Sequence, residues 1–298
     1  MRLAELTVSV QRRLARGIDA IPAATASRIG GGPRVVDGQV LDPHLGLILR
    51  FDERFRPDPI VPDVPAKRTA IRSSSALAAG APIRVGTVRD LTVDGANGPL
   101  RARHFSPSDG GAGRPLVVFF HGGGWVVGDL DTHDQPCRLL TRYADVHVLS
   151  VDYRLAPEHP FPAAVEDAVA AFAWGVEQAG ELGADPTRVA VAGDSAGGNL
   201  AAVVAQATRD AGTTPPSAQL LLYPAVDSSV DRPSKDLFAE GYLLTRRQTD
   251  GYRDTYADGV ARTDPRLSPL RAADLSGLAP AVVEIGRASC RERVSVLV

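Results

Sequence analysis

Val189-Ala190-Val191-Ala192-Gly193-Asp194-Ser195-Ala196-Gly197-Gly198-Asn199-Leu200 is the stretch whose reading decides the fold. Val189–Ala192 is a short, unbroken apolar run, as a strand covered on both faces should be. Gly197–Ala211 has the apolar spacing of a helix. Between them Gly-x-Ser-x-Gly puts Ser195 on a tight strand-to-helix turn. A crowded turn needs small residues on both sides, and its strain exposes the serine oxygen. The bare pattern arises easily by chance, so its weight comes from the strand and helix around it. The competing reading is a glycine-rich turn with a solvent-facing serine.

Working outward, the same alternation continues. Val85–Val93 and Leu100–Phe105 alternate around Asp94-Gly95-Ala96-Asn97-Gly98, a hairpin signal. Leu116–Phe120, His147–Val151, Ala218–Leu222 and Ala281–Ile285 read as further strands. Ala163–Gln178 reads as a helix behind Pro160 and Pro162, with acids in its first turns. Strands alternating with helices predict an α/β fold, a mostly parallel central sheet with helices on both faces. Residues 232–262 are polar and read as an inserted helical piece. Residues 1–82 look different: Leu3 to Ile21 has helical apolar spacing, and Pro43 to Pro82 is rich in Pro, Arg and Ala. They predict helices and loops without a core of their own.

Composition narrows the function. The 298 residues carry 33 basic and 35 acidic side chains, a formal charge of −2, with no run of like charges. A nucleic-acid partner would want a basic face. The two cysteines, Cys137 and Cys290, imply no disulfide framework. No apolar stretch reaches the roughly 18 residues of a membrane span, and Met1 to Ala20 lacks the apolar run of a signal peptide. A cytoplasmic protein without nucleic-acid or membrane partners is the expectation, and nothing calls for a cofactor or a metal.

A second motif, His121-Gly122-Gly123-Gly124-Trp125, directly follows the strand Leu116–Phe120. Acyl transfer passes through an oxyanion that needs backbone N–H donors, and glycines let a backbone turn its amides inward. The competing reading is a phosphate loop: Gly122-x-Gly124-x-x-x-Gly128 loosely imitates a dinucleotide fingerprint, with Asp152 where a ribose-binding acid would sit. Trp125 is bulky for that role, and the Ser195 turn would stay unexplained. A third stretch, Tyr153-Arg154-Leu155-Ala156-Pro157-Glu158-His159-Pro160-Phe161-Pro162-Ala163-Ala164, has no catalytic logic of its own. It reads as a rigid loop supporting the site, with His159 structural.

Taken in order, these three motifs resemble the bacterial hormone-sensitive-lipase family of α/β-hydrolases. Leu222-Tyr223-Pro224 and Leu267-Ser268-Pro269-Leu270 fit as well, so the likeness covers about Val85 to Val283. The resemblance implies a serine carboxylic ester hydrolase acting on short acyl esters, small molecules, through an acyl-enzyme. It implies Ser195 as nucleophile, the amides of Gly123, Gly124 and Ala196 as the oxyanion hole, and His121 as a brace for the oxyanion loop. It also implies a helical cap, formed by residues 1–82 and about 232–262, that shapes the acyl pocket of a core spanning 83–283.

The sequence departs from the family at the triad. In this fold the order is Ser, then Asp or Glu, then His. All six histidines, His44, His104, His121, His133, His147 and His159, precede Ser195. The family's Asp-Pro-Leu-x-Asp and His-Gly-Phe do not occur, and Asp227 has no histidine to orient. Ile285 to Val294 coincides, residue for residue, with the in-frame translation of a common sequencing-adapter oligonucleotide. The expectation is therefore a truncated chain, its last strand and helix missing, with 284–298 a non-native tail. Such a chain is expected to be inactive; the alternative is a ligand-binding pseudoenzyme of the same fold.

Overall fold

The computed structural model describes residues 20–55 and 63–285. The helix expected from Leu3 lies almost wholly outside them. The chain divides into two compact units, one built from the described residues up to Ala81 together with Arg232–Gly251, the other from Pro82–Asp231 and Tyr252 onward.

The smaller unit contains α1 (Ala23–Ile29), the hairpin β1 (Val35–Val36) and β2 (Gln39–Val40), α2 (Pro43–Phe55), α3 (Val64–Ala78) and α7 (Pro233–Leu237). The hairpin was not anticipated. Its turn residues Asp37 and Gly38 sit at φ 47° and 74°, the left-handed pair that a two-residue Asp-Gly turn favours. Asp63 caps α3 by accepting from the Ala66 amide at 2.9 Å, with Pro65 in the first turn.

The larger unit is a seven-stranded sheet in the order β3-β4-β6-β5-β7-β8-β9. Its strands are β3 (Val88–Gly95), β4 (Gly98–Phe105), β5 (Arg114–Phe120), β6 (His147–Val151), β7 (Ala184–Asp194), β8 (Gln219–Leu222) and β9 (Ala281–Glu284). β4 runs antiparallel to both neighbours; from β6 to β9 every pairing is parallel. The expected strands are all present. β7 is longer than read, because polar, partly exposed residues precede its apolar end.

The helices follow from the two-residue period of the strands. Val117, Phe119, Val148 and Ala192 share one face with Phe105, and Cys137 and Leu140 of α4 (Asp134–Ala144) pack there. On the other face Gly175 of α5 (Ala163–Gln178) lies against Val118, where a methyl group would come within 2.9 Å of Cγ2. α6 (Ala196–Asp210) packs on α5, β7 and β8. The result is the three-layer α/β architecture expected.

Two buried polar groups tie this unit together. The Asp167 carboxylate, fully buried on α5, receives Nε and Nη2 of Arg154, both at 2.8 Å, and the amides of Arg154 and Ala96. One side chain thus joins the β3–β4 turn, the loop after β6 and α5. Asp167→Ala is expected to cost about 1.5–3 kcal/mol or more, because two charge-assisted bonds and the acceptor of two amides are lost while Arg154 keeps only exposed Glu166 at 3.6 Å. A urea titration checks it; a midpoint shift worth less than ~1 kcal/mol would refute the role.

The second is a histidine relay between β4 and β6. His147 Nε2 lies 2.9 Å from the Gly111 carbonyl, which can only accept, so Nε2 carries the proton. His147 Nδ1 then accepts from His104 Nε2 at 3.0 Å, leaving His104 Nδ1 buried without a partner among the described residues. Burial, then the neighbouring His147 and Arg89, push the His104 pKa down from 6.5 to about 4. The folded state resists a proton that the unfolded chain takes up. Stability is therefore intact above pH 6.5 and lost as pH falls toward 4, by roughly 3 kcal/mol from this residue. His104→Gln, which keeps a donor and cannot titrate, should flatten that loss in denaturation midpoints between pH 7.5 and 4.5.

Candidate active site

β7 ends at Asp194 and α6 begins at Ala196, leaving Ser195 alone in the corner. Ser195 has φ 52° and ψ −113°. A non-glycine residue there costs on the order of 1–3 kcal/mol and persists only where its surroundings fix it. Three backbone bonds do so: the Ser195 amide donates to Leu222 O at 2.9 Å, and its carbonyl accepts from Asn199 and Ala225, both at 3.0 Å. The flanking glycines are required by space. A methyl group on Gly197 would collide with the Phe120 carbonyl, and one on Gly193 would lie 2.6 Å from the same oxygen.

The His121–Trp125 loop leaves β5 beside this corner, because Phe120 pairs with Gly193 in the parallel register. Gly123, Gly124 and Trp125 sit at φ 124°, 61° and 60°. The loop turns back on itself, with the amides of Val126 and Val127 donating to Gly123 O at 3.2 and 3.0 Å. Asp194 reaches across from the elbow and accepts from the Gly122 amide at 2.8 Å. The amides of Gly123, Gly124 and Ala196 make no hydrogen bond to another described residue. The sheet register and the Asp194 bond thus set Gly122 against the elbow, with Gly123 and Gly124 next in the chain.

His121 lies beneath this loop, fully buried. Its Nδ1 donates to Gly122 O at 2.8 Å, its ring stacks on Tyr153 with centroids 4.4 Å apart, and Tyr153 Oη donates to its carbonyl at 2.7 Å. Burial first, then neighbouring His133, push its pKa down to about 4. A neutral, doubly anchored ring suits a brace and not a base for Ser195.

Several residues here escaped the sequence reading. His133 places Nε2 3.2 Å from Asp194 Oδ1, so the carboxylate is held from two sides. Asp194 occupies the variable position of Gly-x-Ser-x-Gly, where the motif itself carries no information. Tyr252 and Tyr256 of α8 (Arg246–Ala257) meet the loop from outside. A methyl group on Gly124 would lie 2.6 Å from Tyr252 Cγ, and Tyr256 stacks on Trp125 at 4.7 Å with 10° between planes.

The remaining candidates lie elsewhere. The His159 ring is exposed, so it is the loop and not its histidine that supports the site: the Ala156 amide donates to Trp125 O at 2.9 Å. Asp227 pairs with Arg271 at 2.8 Å and accepts from Ser229 at 2.7 Å. The phosphate-loop reading fails on geometry. The next helix in the chain begins only at Asp134, so the glycine loop does not lead directly into a helix N-terminus as the dinucleotide fingerprint requires. Among the described residues no group of three or more His, Cys, Asp or Glu could hold a metal ion, and no helix is long and apolar enough to cross a membrane.

A strand-turn-helix serine beside unpaired glycine amides, on a three-layer sheet, defines a hydrolase fold. A family model for the alpha/beta hydrolase fold matches residues 117–290, and the chain belongs to that family, in its hormone-sensitive-lipase-like branch. It is 49% identical over 282 residues to the carboxylic ester hydrolase LipN of Mycobacterium tuberculosis, covering 90% of this chain and 74% of that protein. It is 40% identical to the ethyl acetate hydrolase of Pseudomonas putida, over 73% of this chain and 70% of that one. Among solved structures, an ester-hydrolase from the metagenome of Lake Arreo, bound to a bipyridine phosphonate derivative, is 43% identical. Its TM-score is 0.76, with 80% of this chain and 76% of that chain covered.

If the elbow needs glycine for space, Gly197→Ala must displace α6 from β5. The expected loss is about 1–3 kcal/mol or more, the range for overpacking, read as a lower urea midpoint. An unchanged midpoint would show that the turn has slack.

Proposed function

We propose that this chain carries the nucleophile and oxyanion hole of a serine carboxylic ester hydrolase acting on short acyl esters. The observation that carries the reading is the strained Ser195 elbow tied by Asp194 to the glycine loop, whose Gly123 and Gly124 amides, like that of Ala196, have no partner among the described residues. Ser195 Oγ attacks the ester carbonyl, the carbonyl oxygen gains charge, and preorganised N–H donors receive it. The bond to the alcohol then breaks, leaving an acyl-enzyme that water hydrolyses. The kinship with an ethyl acetate hydrolase supports a small acyl group.

Attack needs a base, and the structure accounts for each histidine of the chain otherwise. His104 pairs with His147, His121 with Gly122 O, His133 with Asp194 and His44 with Ile21 O, while His159 is exposed. No described residue hydrogen-bonds the Ser195 hydroxyl. The 298 residues alone are therefore proposed to lack triad turnover. Losing the base costs about 10⁶ in kcat, with only ~10³–10⁴ over water surviving.

The test expresses three proteins: the chain as it stands, its Ser195→Ala variant, and a version continued after Val283 with the Asp- and His-bearing segment of an esterase relative. Each is assayed on p-nitrophenyl butyrate. The first two should be indistinguishable, and only the third should show turnover that Ser195→Ala abolishes. Ser195-dependent turnover by the chain as it stands would overturn the missing-base argument. A folded continued version without turnover would favour the non-catalytic, ligand-binding reading.

A further inference from the structure

We propose that Tyr252 and Tyr256 are positioning residues: from one face of α8 they hold the strained loop so that the Gly123 and Gly124 amides stay aimed at the oxyanion. The inference rests on the oxyanion-hole reading above.

Three consecutive left-handed residues, Gly123, Gly124 and Trp125, will not hold themselves. Tryptophan at φ 60° is strained by about 1–3 kcal/mol and relaxes unless its neighbours forbid it. Hydrogen bonds hold the loop at Gly122 through Asp194, at Gly123 O through the Val126 and Val127 amides and at Trp125 O through the Ala156 amide, but none is made by Gly124 to a described residue. There the restraint is α8. Tyr252 and Tyr256 are four residues apart and so share a helix face. The base of the Tyr252 ring closes on the Gly124 α-carbon, leaving no room for a side chain. The Tyr256 ring lies flat on the Trp125 indole.

The tyrosines are themselves held. The Phe161 amide donates to Tyr256 O at 2.8 Å, and the Phe161 ring meets Tyr256 edge-on at 5.7 Å. Tyr256 is 1% exposed and its hydroxyl has no partner among the described residues, so its ring and not its oxygen does the holding. At Tyr252 the contacting atoms are Cβ, Cγ and Cδ2, again the ring end. Both tyrosines belong to the same compact unit as the loop. A loop freed from them keeps these backbone bonds, but the peptide groups on either side of Gly124 gain room to rotate and turn their amides away.

A histidine is not needed to test this. In a Ser195→Cys, Cys290→Ser chain the thiol at 195 is the accessible one, because Cys137 is buried. That thiol is treated with p-nitrophenyl acetate and, separately, with iodoacetamide. Acylation forms a thioester, expels p-nitrophenolate and passes through an oxyanion. Alkylation displaces iodide and forms no oxyanion, so the ratio of the two rates cancels thiol exposure and ionisation. With the tyrosines intact, the ratio should exceed that of N-acetylcysteine.

Tyr252→Ala and Tyr256→Leu should each lower the ratio at least about tenfold, in keeping with a misplaced donor. Tyr252→Phe and Tyr256→Phe should keep it within about twofold of the parent, since the ring supplies the restraint. If Tyr252→Ala fails to fold by circular dichroism, Tyr252→Leu takes its place. An unchanged ratio in folded Ala or Leu variants overturns the proposal, as does an equal loss in the Phe variants. A parent ratio no higher than that of N-acetylcysteine overturns the oxyanion-hole reading and this inference together.

Discussion

Between the last carbonyl of β5 and the first turn of α6 there is room for a hydrogen atom at Gly197 and for nothing larger. The rest of the site depends on that approach. It lets α6 start one residue after β7, which forces Ser195 into the corner at φ 52°. It also sets the loop leaving β5 directly beside the corner, so that Asp194 can reach the Gly122 amide. Had the helix stood further off, strand and loop would still form, but serine and glycine amides would not share one small volume. Strain at Ser195 is thus sustained by parallel pairing deep in the sheet, where Phe120 meets Gly193.

Most of the fold was legible because the apolar runs mark the strands that sheet burial demands. The places where the reading failed have physical causes. α4 went unseen because Leu139 and Tyr143 are exposed and break the apolar face. The parallel pair β5 and β6 nevertheless required a crossover, and that constraint alone would have located a helix there. The β1–β2 hairpin was missed although Asp37-Gly38 is a recognised turn signal, because two-residue strands leave no alternation to see. The serine elbow and the glycine loop were legible because both are local strings. Their supports were not: Asp194 meets Gly122 across 72 residues of sequence. The tyrosine pair on α8 shows its four-residue spacing, but not its target.

The histidines show how burial decides what a titratable side chain is for. His104, His121 and His147 are each buried, and one acceptor fixes where each proton sits: His147 Nδ1 for His104, Gly122 O for His121 and Gly111 O for His147. Burial disfavours a second proton on His104 and on His121, and a ring locked as a neutral donor is a good strut. The same locking makes it useless for shuttling protons to Ser195.

β9 looks peripheral, a four-residue strand with Val282 exposed to solvent. Yet its Glu284 carbonyl receives the Tyr223 amide at 2.6 Å, and Tyr223, at φ 36°, follows the Leu222 whose carbonyl holds the Ser195 amide. The chain of restraint thus runs from the outermost strand through β8 to the elbow. Fraying at that rim propagates inward along this path, so the Ser195 amide should exchange its hydrogen in step with the loosening of β9 and not with global unfolding. The serine elbow is only as rigid as the outermost described strand of its sheet.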